Sequence, residues 1–213
     1  DEEDPDSVAL PDEPPHEDRP LVLGVPRQVA QVSLEPEVAA AFAVARDNLV
    51  RAGIEVRDVD IPQWEPARLR RSAFIVAEVE GAVSFADLLA DDDSDITPAF
   101  RKMLEFGRDL PAPRYASARR HCIEVGVAAR RVVQGVDALF LPTTPQRAFA
   151  HDAAPPPDQA DLTALANAGG LPAISFPAST DSRPIGLQLI GRALRDRRLL
   201  EIARRVQGAL APA

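Results

Sequence analysis

The sequence predicts an α/β fold, because short apolar runs alternate with segments of helical periodicity. A strand, a helix and a second strand follow one another over residues 21–62, the order typical of two parallel strands joined by a crossover helix. A further buried strand is predicted at 136–142, after a long helical region. Two more short strands, at 173–177 and 185–191, complete the set.

The first 20 residues differ in composition from the rest of the chain. They contain five prolines, nine acidic residues and one arginine, which gives a net charge of −8. Such a segment cannot bury enough apolar surface to fold, so we interpret 1–20 as an acidic, proline-rich linker and 21–213 as the folded domain. The folded part carries 24 acids and 23 bases. It therefore has no basic excess with which to bind nucleic acid.

Each element of the first unit has its own signature. The run LVLGVP at 21–26 is apolar and ends in proline, as a buried strand does. A helix is predicted from about Glu35, with Pro36 at its first position and Gly53 as its C-terminal cap. Helical spacing predicts its buried face at Val38, Phe42, Ala45 and Leu49. The run 54–62 alternates apolar and polar residues and indicates a half-buried strand.

The remaining helices are predicted over 66–90, 98–108, 113–134, 161–167 and 195–209. An acidic turn, DDDSD, separates the first two of them. A loop at 142–160, which contains five prolines, precedes the fourth. A loop of this length in a compact domain is often functional, so it is a candidate part of a site.

The reactive side chains form no recognisable catalytic pattern. No G-x-S-x-G elbow is present, and no serine is followed by glycine. The only lysine, Lys102, is predicted on a helix surface, and the neighbours His121 and Cys122 diverge by about 100° around a helix. The three histidines are scattered and lack carboxylates at metal-ligand spacing. We therefore predict no catalytic residue, no metal site and no cofactor in this chain.

The candidate binding residues are polar groups beyond the ends of strands, where open α/β sheets bind their ligands. Thr143 and Thr144 directly follow the strand at 136–142, although each hydroxyl could instead bond the backbone of its own turn. Gln188 shares one strand face with Gly186, which leaves room for close approach. Gln188 is thus either a substrate contact or a satisfied core amide.

Three blocks carry a resemblance to a known family: DALFLPTTP (137–145), LTALANAGGLPAISFPA (162–178) and RPIGLQLIGRALRDRRLLEIA (183–203). In this order they resemble the C-terminal part of amidase-signature hydrolases. The resemblance implies part of the amidase-signature fold, a mixed β-sheet flanked by helices, and a small-molecule amide substrate. Four residues of the matched pattern are expected to be structural: Asn167 as a cap or turn former, Gly170, Pro172 and Gly186.

The family's chemistry is implied by the resemblance alone. Its members hydrolyse amides with a Ser–cis-Ser–Lys triad that lies in a Gly/Ser-rich stretch of the N-terminal half. No position of this chain matches that stretch, so no catalytic residue is transferred to it. We expect the chain to be inactive alone and to need the missing N-terminal half as its partner. A non-catalytic partner subunit or a degenerate amidase-like binding module is the alternative.

The first residue and the numbers of methionine and cysteine residues give expectations about the origin of the chain and its cellular location. Position 1 is aspartate and the only methionine is Met103, so we expect the chain to derive from a longer protein. The single cysteine, Cys122, cannot form an internal disulfide, and no signal-peptide pattern opens the chain. No apolar run approaches the roughly 20 residues that span a bilayer. We therefore expect a cytoplasmic location and no membrane partner.

Overall fold

The computed structural model describes residues 8–9, 19–91, 94–178 and 184–210. In these ranges five strands form one mixed sheet flanked by helices, which confirms the predicted fold class. Most of the predicted linker at 1–20 lies outside the described residues. The division into linker and domain therefore stays a prediction.

The strands are β1 (Val22–Pro26), β2 (Glu55–Val59), β3 (Ala138–Pro142), β4 (Ala173–Pro177) and β5 (Gly186–Ile190). Their order across the sheet is β2-β1-β3-β5-β4. β1 pairs in parallel with β2 and β3, whereas β5 pairs antiparallel with β3 and β4. The predicted parallel pair of the strand–helix–strand unit is confirmed, and β2 and β4 form the two edges of the described sheet.

The helices are α1 (Pro36–Arg51), α2 (Pro66–Ser84), α3 (Ala86–Ala90), α4 (Pro98–Asp109), α5 (Ala112–Val133), α6 (Ala164–Gly169) and α7 (Asp196–Leu210). The prediction of one helix over 66–90 is wrong, because Phe85, with φ −111° and ψ 27°, divides it into α2 and α3. The Phe85 ring packs edge to face on Phe100 of α4, with centroids 5.5 Å apart. A tertiary contact thus accompanies a break that helical periodicity does not indicate.

A short 3₁₀ helix (Arg27–Gln31), which was not predicted, follows β1. The buried Gln28 amide donates to the Asp60 carboxylate over 2.9 Å and to the Ile61 carbonyl over 2.8 Å. These bonds join the end of β1 to the segment that follows β2. The side chain is therefore a satisfied buried amide.

The buried face of α1 follows the predicted spacing. Its four predicted core residues are all buried: Val38, Phe42, Ala45 and Leu49. Pro36 opens the helix, and Gly53, just after its end, has a φ of +80° that favours glycine. The Phe42 ring lies against Phe140 of β3, with centroids 5.3 Å apart. This contact places α1 on the face of the sheet to which Phe140 points.

Two helix crossings depend on glycine. A Cβ atom on Gly107 of α4 would lie 2.0 Å from the carbonyl oxygen of Glu78 in α2. A Cβ atom on Gly126 of α5 would lie 2.1 Å from the carbonyl oxygen of Ala168 in α6. Both distances are far inside van der Waals contact, so the helix backbones touch directly at these two points.

Asp137, the first residue of the DALFLPTTP block, holds the start of β3. Its buried carboxylate accepts two hydrogen bonds from Arg19, at 2.9 and 2.8 Å, and one from the backbone N–H of Val22 at 2.8 Å. Burial alone would raise the pKa of Asp137, but these bonds outweigh burial and hold its pKa below the ordinary value. The aspartate of the motif is thus a structural link between β3 and the chain entering β1.

His121 joins α5 to α2 as a buried imidazole. Its Nδ1 lies 3.0 Å from the Ser72 hydroxyl oxygen, and the residue is 7% exposed. Burial, and then the positive charge of Arg68, lower the pKa of His121 below its ordinary value of 6.5. His121 therefore binds a proton less readily in the folded chain than in the unfolded chain.

We expect this histidine to make stability dependent on pH in the mildly acidic range. Because its folded-state pKa is depressed, its contribution is complete above about pH 6.5 and is lost as the pH falls towards the folded-state pKa. Urea unfolding at pH 7.5 and 5.5 measures the loss, which should be smaller in His121→Asn. His151→Asn, on the exposed loop, is the matched control and should retain the full loss. An equal loss in both variants would contradict this role.

Candidate functional site

The candidate site lies at the sheet edge formed by the carboxyl ends of four strands. β1, β2 and β3 are parallel, and β4 shares their direction because β3 and β4 both run antiparallel to β5. Thr143 and Thr144 leave β3 at this edge, where Pro177 of β4 pairs with Gly186 of β5. Ligands of open α/β sheets bind at such an edge.

Thr143 is one of a pair of hydroxyl groups. Its Oγ1 lies 2.6 Å from the Oγ of Ser175 in β4, and its backbone N–H donates to the Gly186 carbonyl over 2.8 Å. A Cβ atom on Gly186 would lie 2.8 Å from Thr143 Oγ1 and 3.2 Å from Ser175 Oγ. Glycine is therefore required here because the two hydroxyls already fill the space beside the strand.

Sequence reasoning missed Ser175, although strand alternation could have found it. In the run AISFP, Ile174 and Phe176 point to one face, so Ser175 points to the other. Register places Ser175 directly opposite Gln188, on the same face. Ser175 is exposed in this chain, and so the hydroxyl pair is accessible from β4.

Gln188 is 2% exposed and donates its Nε2 proton to the carbonyl of Pro142 over 3.0 Å. That bond satisfies a backbone carbonyl at the end of β3. Of the two interpretations left open by the sequence, the core amide agrees with these contacts. A contact between Gln188 and a ligand stays a prediction.

Thr144 donates its hydroxyl proton to the carbonyl of Gln146 over 2.7 Å, so it bonds its own turn. The Gln146 amide in turn donates to the Asp158 carboxylate, across the base of the loop at 142–160. The turn carrying Thr144 is thus fixed to the far side of the same loop. A ligand contact of Thr144 stays a prediction, as it does for Thr143.

Ion pairs hold both ends of this loop against helices. Arg147 pairs with Glu35 over 3.1 Å and with Glu37 over 3.0 Å, at the start of α1. Arg70 of α2 donates to Asp161 over 2.6 Å, and the side chain of Asp161 is only 8% exposed. A buried, hydrogen-bonded charge pair fixes geometry because neither charge can leave its partner cheaply. The loop is therefore fixed at its base, while 148–155 are exposed.

The motif residues after the loop form a helix end. Gly170 adopts the left-handed conformation, with φ 55° and ψ 43°, and its N–H donates to the Asn167 carbonyl over 3.1 Å. Asn167 thus helps to form the turn through its backbone. The carbonyl of Pro172 accepts the N–H of Gly191 over 2.8 Å, which aligns β4 with the end of β5.

The two reactive side chains singled out in the sequence lie on helices, Lys102 on α4 and Cys122 on α5. Lys102 is exposed on α4, and burial raises the pKa of the Cys122 thiol on α5, which disfavours a thiolate nucleophile. Among the described residues, no three His, Cys, Asp or Glu side chains are grouped so that they could hold a metal ion. No helix in the described ranges is both long and apolar enough to cross a bilayer.

Known proteins match this chain along most of its length. The profile of a protein family described as Amidase matches residues 1–200. The A subunit of glutamyl-tRNA(Gln) amidotransferase from Roseiflexus sp. is 31% identical over 86% of this chain, and that from Azorhizobium caulinodans is 28% identical over 88%. A solved structure described as an amidase superposes with a TM-score of 0.82, covers 93% of this chain and is 23% identical.

This chain covers less than half the length of each of these known proteins. The chain spans 43% and 44% of the length of the two curated relatives, and 48% of the solved amidase chain. Each match thus leaves more than half of the known protein without a counterpart in the 213 residues.

Proposed function

Since the chain belongs to the amidase family, we propose that it is the C-terminal portion of a hydrolase that cleaves the C–N bond of a carboxylic amide. The observation that carries this proposal is the family match over 1–200, together with relatives more than twice as long as the match. The substrate would be a small-molecule amide, and the reaction would take place in the cytoplasm without a cofactor, a nucleic acid or a membrane.

The proposal assigns the bond-breaking step to residues outside this chain. A Ser–cis-Ser–Lys triad attacks the amide carbonyl with one serine, while the second serine and a neutral lysine transfer protons. Lys102, the only lysine in the sequence, is exposed to solvent on α4. This placement supports a triad supplied by the N-terminal half.

The role left to this chain is to form one wall of the site. Thr143 and Ser175 present a hydroxyl pair at the carboxyl edge of the sheet, and the turn of Thr144 is fixed beside it. The buried Gln188 amide supports the same edge by holding the Pro142 carbonyl. We assign these four side chains to positioning the amide substrate or the groups that touch it, and none of them to catalysis.

The open edge of β4 is the place where the missing half would join. β4 is an edge strand of the described sheet, so its outer N–H and C=O groups are available for pairing. Ala173, Ser175 and Pro177 are exposed along it. A strand of the N-terminal half would continue the sheet here, with 1–20 as the linker between the two halves.

The nucleotide sequence upstream of residue 1 tests this proposal. A continuous reading frame that encodes a lysine and a Gly/Ser-rich stretch with two serines would support it. A start codon directly before residue 1 would contradict it and favour a non-catalytic partner subunit or a degenerate binding module.

A further inference from the structure

Positive charge is concentrated on α7 and the turn that leads into it. Residues 191–210 contain six arginines and two acidic residues, which gives a net charge of +4. Residues 19–213 as a whole are balanced, with 24 acidic and 24 basic residues. The candidate site does not use this excess, because α7 follows the end of β5 at the opposite edge of the sheet.

Two of these arginines point outward without an anionic partner. Arg197 and Arg204 are seven residues apart, so they lie on the same side of α7, and both are exposed. Neither forms an ion pair with another of the described residues, whereas Arg198 pairs with Glu201 over 3.1 Å. The buried residues of α7 lie on its other side: Leu199, Ile202, Ala203 and Val206. We call the side of Arg197 and Arg204 the arginine face of α7.

α7 begins close to the point at which the chain enters the sheet. Arg19, just before β1, pairs with Asp137 at the start of β3 over 2.8 Å. The carbonyl of the preceding residue, Val136, accepts a hydrogen bond over 3.0 Å from Arg192, in the turn before α7. Arg198 of α7 is itself near enough to interact electrostatically with the Asp137 carboxylate. Residue 19 therefore leads directly to the first turn of α7.

The segment that precedes Arg19 carries the complementary charge. Residues 1–18 contain nine acidic residues and neither lysine nor arginine. Eighteen residues extend to at most about 60 Å, whereas the 15 residues of α7 form a helix about 22 Å long. The segment can therefore reach the whole arginine face. Its attachment at residue 19 also keeps its local concentration beside α7 high.

We propose that the acidic segment 1–18 docks on the arginine face of α7. Its carboxylates accept hydrogen bonds from the guanidinium groups of Arg197 and Arg204, a charge-assisted pairing that favours arginine. Val8 of the segment is 62% exposed, which agrees with a contact made by charge rather than by apolar burial. The docked segment fixes the direction from which the chain reaches β1. The inference depends on these charges alone and is independent of the proposed amide hydrolysis.

A nitroxide spin label on the acidic segment tests this contact in the full chain. Cys122→Ala removes the only native thiol, and Ser7→Cys then provides one for the label. A nitroxide broadens the NMR signals of nearby amide protons. We expect broadening at Arg197 and Arg204 of α7. The Arg114 signal should stay sharp, because Arg114 lies in the first turn of α5, about 30 Å from the end of that helix beside β3.

Salt separates docking from the mere nearness of a tethered chain. Raising NaCl from about 10 mM to about 1 M shortens the Debye length from about 30 Å to about 3 Å. The broadening on α7 should therefore fall at least about threefold if charge holds the segment there. A segment that is only tethered would broaden the same signals equally at both salt concentrations.

Paired substitutions identify the arginines that hold the segment. Arg197→Gln/Arg204→Gln removes both charges with little change in helix propensity, and should reduce the broadening on α7 at low salt at least about threefold. Arg71→Gln/Arg114→Gln removes two exposed arginines from α2 and α5, and should change it less than about 1.5-fold. Amide signals that otherwise stay in place in both variants show that the fold is intact.

Any of three results would refute the docked segment. The first is equal broadening on α7 at low and high salt. The second is equal broadening in Arg197→Gln/Arg204→Gln and in the chain with both arginines. The third is no broadening on α7 by the label, together with a shift of its amide signals on addition of polyglutamate, since the arginine face would then bind a separate acidic partner.

Discussion

Replacing Gly126 by alanine should destabilise the fold by about 3 kcal/mol, at the upper end of the usual cost of overpacking. The new Cβ atom would lie 2.1 Å from the Ala168 carbonyl oxygen, so α5 and α6 must separate. The clash is with backbone, which cannot rotate away as a side chain can. For a domain of this size the melting temperature should fall by ~6–12 °C.

Gly208→Ala is the matched control for this substitution. Gly208 also lies within a helix, α7, but a Cβ atom there meets nothing within 4 Å. Alanine favours the helix by ~0.5–1 kcal/mol over glycine, so this variant should be as stable as the unmodified chain or more so. If thermal unfolding showed equal losses for both variants, the direct contact of α5 and α6 would be refuted.

Removing the Asp137 carboxylate should have an effect of similar size. Asp137→Ala leaves the Val22 N–H and the Arg19 guanidinium without the acceptor that both now share. Loss of a buried, hydrogen-bonded carboxylate costs about 3 kcal/mol, because its partners lose their bonds and remain partly desolvated. Urea denaturation at neutral pH measures the change in the free energy of unfolding.

Two further variants separate this role from a general loss of negative charge. Asp58→Ala removes an exposed carboxylate that pairs with Arg46 over 3.1 Å, and should cost at most about 0.5 kcal/mol. Arg19→Ala should cost less than Asp137→Ala, because the bond from Val22 to Asp137 survives. A loss in Asp137→Ala no larger than that in Asp58→Ala would rule out the structural link.

Local sequence signals correctly predicted the first helix and the two strands that flank it. Proline and glycine positions and the spacing of apolar residues determine α1 and its neighbouring strands, and the structure has them close to the predicted bounds. The parallel pairing of β1 and β2 also follows from local order, since a helix long enough to cross over separates them.

Features that depend on contacts between distant residues could not be predicted in this way. The break at Phe85 accompanies its packing on Phe100, which lies beyond the acidic turn. Asp137 was recognised as part of a motif, but its three hydrogen bonds come from residues more than 100 positions away. A one-dimensional pattern contains no information on which distant groups become neighbours.

The candidate site also combines residues that local patterns predicted with contacts that they could not predict. Thr143 was found from its place after a strand, whereas its partner Ser175 belongs to another strand and requires the register of β5 between them. Gln188 was left between two interpretations, because strand alternation gives its face but not the Pro142 carbonyl that it binds. The residues themselves predicted no chemistry for the site, since the sequence contains no G-x-S-x-G elbow and no serine followed by glycine, and amide hydrolysis was implied by the family resemblance alone.

The central claim is tested most directly by comparing two rates of amide hydrolysis. One is that of the purified chain, and the other is that of the chain joined to the N-terminal half that we propose is encoded upstream. The substrates would be benzamide, p-nitroacetanilide and glutamine, with release of ammonia or p-nitroaniline as the signal. We expect no hydrolysis above the buffer rate for the chain alone, and hydrolysis by the joined protein. Hydrolysis by the chain alone, blocked by phenylmethylsulfonyl fluoride, would contradict the account, because it would require an activated serine within these residues.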